Sequence, residues 1–386
     1  MLRTSLRVLP IVALGAVVFA AGCASVTEDE GGAASDSQAI MNGKPVLPNW
    51  ATEEELAIES RSAPPDPRAN TTPPAKGFRV PAEYEPVSTV IMTWAGHPAV
   101  LRGISQASAA AGADVWMVGG PATMPGVAKD RYKSLGLGFN SIWSRDYGPV
   151  GINDETGALA IVDTTYRHFA VRVDDDAMSC ELAGVLEADC HTTSLILDGG
   201  NYMSDGKGNV FVTKRVYDWN RAIAPAKVDE LLKTYLHANT LHVLDYAKNA
   251  AGQPADGTGH MDMFAKLVGA CKVLVVETTA APYKAVTDAA AAYFANLPCG
   301  EGNYQVTRVK GWLNGRTWYT YSNSLIVNKS VIIPFYNDTA KNEEAVATYK
   351  SVLPDYTIVG VLSESTIVQG GSIHCITKEI PALTSR

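Results

Sequence analysis

Cys375 stands in the stretch GGSIHCITKEIP, where two glycines lead into a His–Cys pair. A cysteine so placed is a packed core residue, half of a disulfide, a metal ligand or a nucleophile. Gly370 and Gly371 let the backbone approach closely just before the thiol, which suits a functional loop on a rigid scaffold. His374 is the immediate neighbour of Cys375, so in an extended backbone its ring faces away from the thiol and it reads as structural. A base for the sulfur must come from elsewhere, and His260 in GTGHMDMF is the best candidate. If HMDMFAKLV is extended, His260 and Asp262 share one face, with Met261 and Met263 on the other. Such a pair can be an acid–base unit, two metal ligands or a structural ion pair, and the spacing leaves all three open. Asp146, in SIWSRDYGPV, follows Arg145 and precedes a Gly148-Pro149 break. The plain reading there is a local ion pair on a loop; the functional one is a carboxylate held at a strand end. A fourth polar stretch, LDGGNYMSDGKGN, sets Gly199, Gly200 and Asn201 between a strand and a turn.

A thiolate attacks electrophilic carbon and a histidine moves protons. Two carboxylates aimed at one place repel each other unless a cation lies between them. A planar guanidinium is such a cation, because its fork of N–H donors pairs bidentately with carboxylates. Sulfur could attack its central carbon, ammonia could leave with a proton from histidine, and water could then release a ureido group. That is deiminase chemistry, and it needs neither metal nor cofactor. Three other classes compete with it. A cysteine amidase or protease would use Cys375 and His260. A metal-binding protein would use His260 and Asp262, although no Cys/His ligand spacing accompanies them. The last is a binding module without catalysis.

Six stretches, RVPAEYEP, WSRDYGP, DGGNYMSDG, GHMDMF, SNSLIVN and GGSIHCITKEIP, follow one another between Phe78 and Pro381. Together they resemble the agmatine deiminase and bacterial peptidylarginine deiminase family. The resemblance implies an α/β fold, the five-fold pseudo-symmetric α/β propeller (pentein) built of ββαβ-type units, in a single catalytic domain. It implies Cys375 as nucleophile, His260 as general acid and base, and Asp146 and Asp262 as the carboxylates that hold the guanidinium. It places Trp143 beside the aliphatic stem of the substrate and gives Asn323 a polar contact. Asn201 belongs, with Gly199 and Gly200, to the loop that shapes the site, and Asp163 and Arg167 fall on the substrate side. The implied reaction converts arginine in peptides or proteins to citrulline and ammonia. The alternative substrates are agmatine, giving N-carbamoylputrescine, and free arginine. No cofactor and no metal are implied. Relatives that favour C-terminal arginine carry an arginine-rich turn after the strand matching AIVDTTY. Here that turn reads RHFAVRVDDD, with Arg167 and Arg172 at a different spacing, and Asp174, Asp175 and Asp176 are expected in a solvated turn.

These residues need a scaffold, and the rest of the sequence supplies an alternating one. STVIMTW, DVWMVG, ALAIVD, NVFVT, LHVLDY, CKVLVVE, NSLIVN, SVIIPF and YTIVGV read as strands. Helical patterns cover Ala99–Ala111, Ala177–Glu187, Ala226–His237, Lys284–Asn296 and Asn342–Leu353, the last between Asp338 and Pro354. Alternation of this kind means α/β. The chain has 386 residues, 46% of them hydrophobic and 19% charged, which suits a core-forming protein. A net charge of -8 argues against a nucleic-acid partner, since there is no basic stripe to displace counterions, and it is compatible with a cationic substrate.

Arg3 and Arg7 precede the apolar run VLPIVALGAVVFAA, which ends in FAAGC at Cys23. This pattern resembles a bacterial lipoprotein signal over residues 1–23, with Cys23 lipidated. Residues 24–76, rich in Gly, Ser, Pro and acids, are expected as a flexible tether, and residues 77–386 as the catalytic domain. The expected location is the bacterial cell envelope, with the membrane contacted through the lipid anchor alone. In such an oxidising compartment Cys180 with Cys190 and Cys271 with Cys299 could pair, leaving Cys375 free.

Overall fold

A computed structural model of the chain describes residues 40–41 and 44–383. Cys23, the expected signal segment and the tether up to residue 39 lie outside the described residues.

The fold repeats one unit five times: two antiparallel strands, then a helix that returns the chain to a third strand parallel to the second. β1 (Val87–Thr93) and β2 (Asp114–Val118) run parallel across α2 (Pro98–Ala110), and β3 (Tyr132–Leu135) extends that sheet. β4 (Val150–Asn153) and β5 (Leu159–Thr165) form a hairpin, and α4 (Val173–Leu186) leads to β6 (Asp189–Ile196) beside β5. β7 (Tyr202–Ser204) and β8 (Asn209–Thr213) follow, with α5 (Pro225–Tyr235) leading to β9 (Thr240–Leu244). The fourth unit is β10 (Ala265–Gly269), β11 (Lys272–Glu277), α6 (Tyr283–Ala295) and β12 (Gln305–Asn314), with β13 (Thr317–Thr320) added outside. The fifth is β14 (Leu325–Val327), β15 (Ser330–Phe335), α7 (Thr339–Val352) and β16 (Thr357–Leu362). β17 (Lys378–Pro381) then pairs antiparallel with β1 and gives the first sheet its missing hairpin partner.

Every strand and helix expected from the apolar runs is present. The parallel strands are buried on both faces, as crossover helices require: Val331, Ile332 and Ile333 of β15 have no exposed surface. α7 begins where expected, with the Asp338 side chain accepting from the Lys341 amide at 3.1 Å. The two expected disulfides are formed, Cys180–Cys190 tying α4 to β6 and Cys271–Cys299 tying the β10–β11 turn to the segment after α6, while Cys375 is free and buried.

The tether expectation is corrected over residues 46–76, which dock on the domain. Val46 and Asn49 are buried, and α1 (Glu53–Glu59) carries a capping box between Thr52 and Glu55. Glu55 meets the fully buried Arg172, with Nε 2.8 Å from Oε1, and the Asn70 side chain accepts from the Ser194 amide at 2.5 Å. A composition that cannot build its own core is here ordered by contacts with the domain, Val46 in its core and polar partners elsewhere. A second correction concerns Asp174–Asp176. They open α4, where acids complement the helix dipole. Asp175 is fully buried, accepting from the Asn140 amide at 2.7 Å and the Ser141 hydroxyl at 2.7 Å.

Candidate active site

The polar stretches singled out in the sequence occupy one address in the repeat: the segment that leads into the first strand of a unit. Asp146 lies on the single turn α3 (Ser144–Tyr147) before β4. Gly199 and Gly200 form a 3-10 turn before β7. His260 caps the 3-10 turn Met261–Met263 before β10, Asn323 precedes β14, and Cys375 precedes β17.

His260 and Asp262 therefore do not share a strand face; the chain coils between them before β10 begins. They still meet. A Cβ built on Gly200 would stand 2.6 Å from His260 Nδ1, 2.8 Å from Asp146 Oδ1 and 3.2 Å from Asp262 Oδ2. The missing side chain of Gly200 thus leaves space bounded by an imidazole and two carboxylates. Cys375 Sγ is 3.7 Å from Asp262 Oδ2 and 3.1 Å from Asn323 Nδ2. Gly371 makes room for the thiol in turn, since a Cβ there would lie 2.6 Å from Sγ and 2.9 Å from the Trp143 ring. Asn323 Oδ1 accepts from the amides of Ser372 and Cys375 at 3.0 and 3.3 Å and fixes the loop.

The same three residues each carry a polar atom that has no hydrogen-bond partner although fully buried: Asp146 Oδ2, Asp262 Oδ1 and His260 Nδ1. Unsatisfied buried groups are costly and few in folded proteins. Their clustering beside a thiol marks a place shaped for a ligand with several N–H donors. The second oxygen of Asp262 is held by His374 Nδ1 at 2.6 Å, and His374 Nε2 lies 2.9 Å from Glu83 Oε2, which also bonds Lys266 Nζ at 2.7 Å. Residues 373–376 form a turn and not the extended backbone expected, and His374 anchors the same Asp262 oxygen that lies 3.7 Å from Cys375 Sγ. Arg145 turns from Asp146 to Glu379, 2.6 Å away, so the expected local ion pair is absent.

Burial pushes the Cys375 thiol well above its ordinary range, and the Asp262 and Asp146 carboxylates push it further. Burial also raises Asp146, to about 6, against the opposing pull of His260. His260 itself is raised: burial works against its charge, but Asp146 and Asp198 outweigh it. Asp262 is lowered because the His374 bond and charge overcome its burial. The two carboxylates differ in environment, and so titrate apart.

Asp198 is the group the sequence reading passed over. It stands at the start of DGGN, is fully buried, and has Oδ2 3.2 Å from His260 Nε2. An acid directly before two glycines at a strand end was the available signal. Arg167 reaches the cluster but is already taken: its guanidinium bonds Asp198 and Asn49, with Nη1 2.8 Å from His260 Nε2 and 3.9 Å from Asp146 Oδ2. Asp146, Asp198 and His260 each present a ligand atom within 4.8 Å of the others, and Arg167 Nη1 sits against all three. Asn201 lies behind the turn, where its Oδ1 accepts from the Thr213 hydroxyl at 2.8 Å. Trp143 is buried at the thiol and donates from Nε1 to the Leu47 carbonyl at 2.9 Å. Asp163 is not in the site. It lies on β5 under α4, beside the Cys180–Cys190 disulfide and the Asp176 carboxylate, because strand alternation turns it to the helix layer rather than the strand end.

Residues 79–381 match the family described as Porphyromonas-type peptidyl-arginine deiminase. Two proteins named "Putative agmatine deiminase" are similar along most of their length. The one from Lactococcus lactis is 26% identical over 362 residues, covering 81% of this chain and 97% of its own. The one from Streptococcus mutans is 27% identical over 369 residues, covering 81% and 98%. Among solved structures, the agmatine deiminase of Enterococcus faecalis superposes with a TM-score of 0.68 at 22% identity, covering 83% of this chain and all of its own.

Proposed function

Because the chain belongs to the family of Porphyromonas-type peptidyl-arginine deiminases and agmatine deiminases, we propose that it hydrolyses a guanidino group with Cys375 as nucleophile. It is a hydrolase of the C–N bonds of amidines. The observation that carries the detailed reading is that the three residues bordering Gly200 each keep one buried atom unpaired: Asp146 Oδ2, Asp262 Oδ1 and His260 Nδ1. Two carboxylate oxygens take N–H donors of the guanidinium from two sides. The cation's arrival offsets the carboxylates that hold the thiol protonated and lets Cys375 give its proton to solvent, from which the thiolate regains it when the products leave. Sulfur then bonds to the guanidinium carbon. The His260 imidazolium gives its proton to one nitrogen, the C–N bond breaks, and ammonia leaves a thiouronium on Cys375. Neutral His260 next takes a proton from water, hydroxide adds to the same carbon, and the C–S bond breaks to return thiolate. The proton shed by the new hydroxyl goes to the released ammonia, so the products are a ureido group and ammonium.

Agmatine is the substrate we favour, because relatives matching nearly their whole length carry that activity in their name. Arginine within peptides is the second reading, supported by the family match over residues 79–381. A colorimetric assay for ureido product on agmatine, free arginine and a blocked arginine peptide ranks them. No product from any of them, with Cys375→Ala indistinguishable from the native chain, removes the proposal.

We further read the five repeats as blades of a five-fold pseudo-symmetric propeller, supported by the common address of the site residues before each first strand. We also propose export and lipidation at Cys23. The apolar run before FAAGC supports this, as do two disulfides of a kind that forms in oxidising compartments.

A further inference from the structure

Between the end of α1 and the segment after β5 lies a cavity of about 280 Å³ that opens to solvent, lined by Glu59, Pro64, Arg167, Phe169, Trp219 and Ala222 among others. Its inner wall touches the catalytic imidazole. Arg167 Nη1 is 2.8 Å from His260 Nε2, and the Trp219 ring stands edge-on to His260 with centroids 5.7 Å apart. Its outer wall comes from α1, which precedes the residues matched to the family. α1 is inverted for a surface helix. Glu55 and Glu59 turn toward the body, while Leu56 and Ile58 are 54% and 48% exposed, against the usual preference. Glu55 is accounted for by Arg172, whose Nη2 is 3.0 Å from its Oε2. Glu59 has no such cation. Its Oε1 lies 2.6 Å from His168 Nδ1, and burial together with Arg167 and Arg172 holds that imidazole well below its ordinary range, and so neutral. Arg167 is committed to Asp198 and Asn49. Burial raises Glu59 to about 7, with Glu55 and Asp198 adding to it and Arg167 and Arg172 opposing.

We propose that this cavity takes the tail of the substrate and that Glu59 is its specificity determinant, pairing with a cationic amine at the end of a short guanidino chain. The inference rests on the deiminase reading of the neighbouring site. A substrate with a cation at each end meets Asp146 and Asp262 at one end and Glu59 at the other. A substrate ending in a carboxylate brings like charge to Glu59 and is disfavoured. Arg167, already paired, flanks the chain instead of binding its end.

The test uses the full chain and its Glu59→Gln and Glu59→Asp variants, with agmatine, n-butylguanidine and arginine as probes. The native protein should prefer agmatine to n-butylguanidine, which has the same carbon chain and no amine. Glu59→Gln should raise KM for agmatine about tenfold or more, as loss of a charge-assisted hydrogen bond does, with kcat unchanged. It should leave n-butylguanidine kinetics alone, and Glu59→Asp should recover part of the agmatine KM. Unchanged n-butylguanidine turnover also shows that the variant is folded. Equal handling of agmatine and n-butylguanidine by the native chain overturns this inference and leaves the deiminase reading standing. So does an equal shift of both substrates in Glu59→Gln. Absence of ureido product from every guanidine overturns both.

Discussion

At the scale of residues, the site depends on one absent side chain as much as on those present. A methyl group at position 200 would stand 2.6 Å from His260 Nδ1 and 2.8 Å from Asp146 Oδ1. Gly200→Ala should therefore lower kcat/KM about a hundredfold, the scale of an ångström's misplacement, and lower the thermal melt as overpacking of a buried site does. The titrating groups set a pH profile. Asp146, raised to about 6, must be a carboxylate to hold a guanidinium, so kcat/KM should fall as pH drops through about 6. His260 must be an imidazolium to protonate the leaving nitrogen. Asp146 and Asp198 outweigh burial to hold it above its ordinary range, so activity should persist past neutrality and decline on the alkaline side. Asp198→Asn should bring that alkaline decline to lower pH. The two limbs belong to a coupled set, so the profile yields macroscopic values.

At the scale of elements, the strands rich in Val and Ile and the amphipathic helices were legible because burial on both faces writes apolar runs into the sequence. The short polar-flanked strands β4, β7, β10 and β17 were not, since three to five residues carry too little pattern. Those strands are the ones the catalytic segments feed into. The site residues could be read from their types and order, but not the coil at Met261–Met263 that replaces a shared strand face for His260 and Asp262. Asp198 was missed because its partner, His260, is distant in sequence, and α1 because its inward face is polar. Both disulfides were read as pairs from compartment and count. The Cys271–Cys299 bridge spans 28 residues, including α6. Replacing both cysteines with serine should lower unfolding stability by about 3–4 kcal/mol on the loop-closure argument, measured by chemical denaturation, with the site chemistry retained in the folded fraction.

At the scale of the whole molecule, alternation gave the α/β class, while a fivefold arrangement entered only through the family resemblance, because the period varies with loop length and inserted strands. A catalytic body docked against residues 46–76 leaves the segment before residue 40 as the link to the proposed anchor. Cys23→Ser should shift the protein from the membrane fraction to the soluble fraction of exporting bacteria, with deiminase activity per molecule unchanged. Retention in the membrane fraction would refute lipidation at that residue.

The pairing of β17 with β1 also sets a clock. β1 leaves the ribosome long before β17, and Cys375 lies just ahead of β17. Until then the nascent chain has an open sheet edge at β1 and no Cys375 thiol to place among its acids. Such long-range closure is slow to fold, and the reactive centre cannot be completed before Cys375 and the strand that follows it have been made.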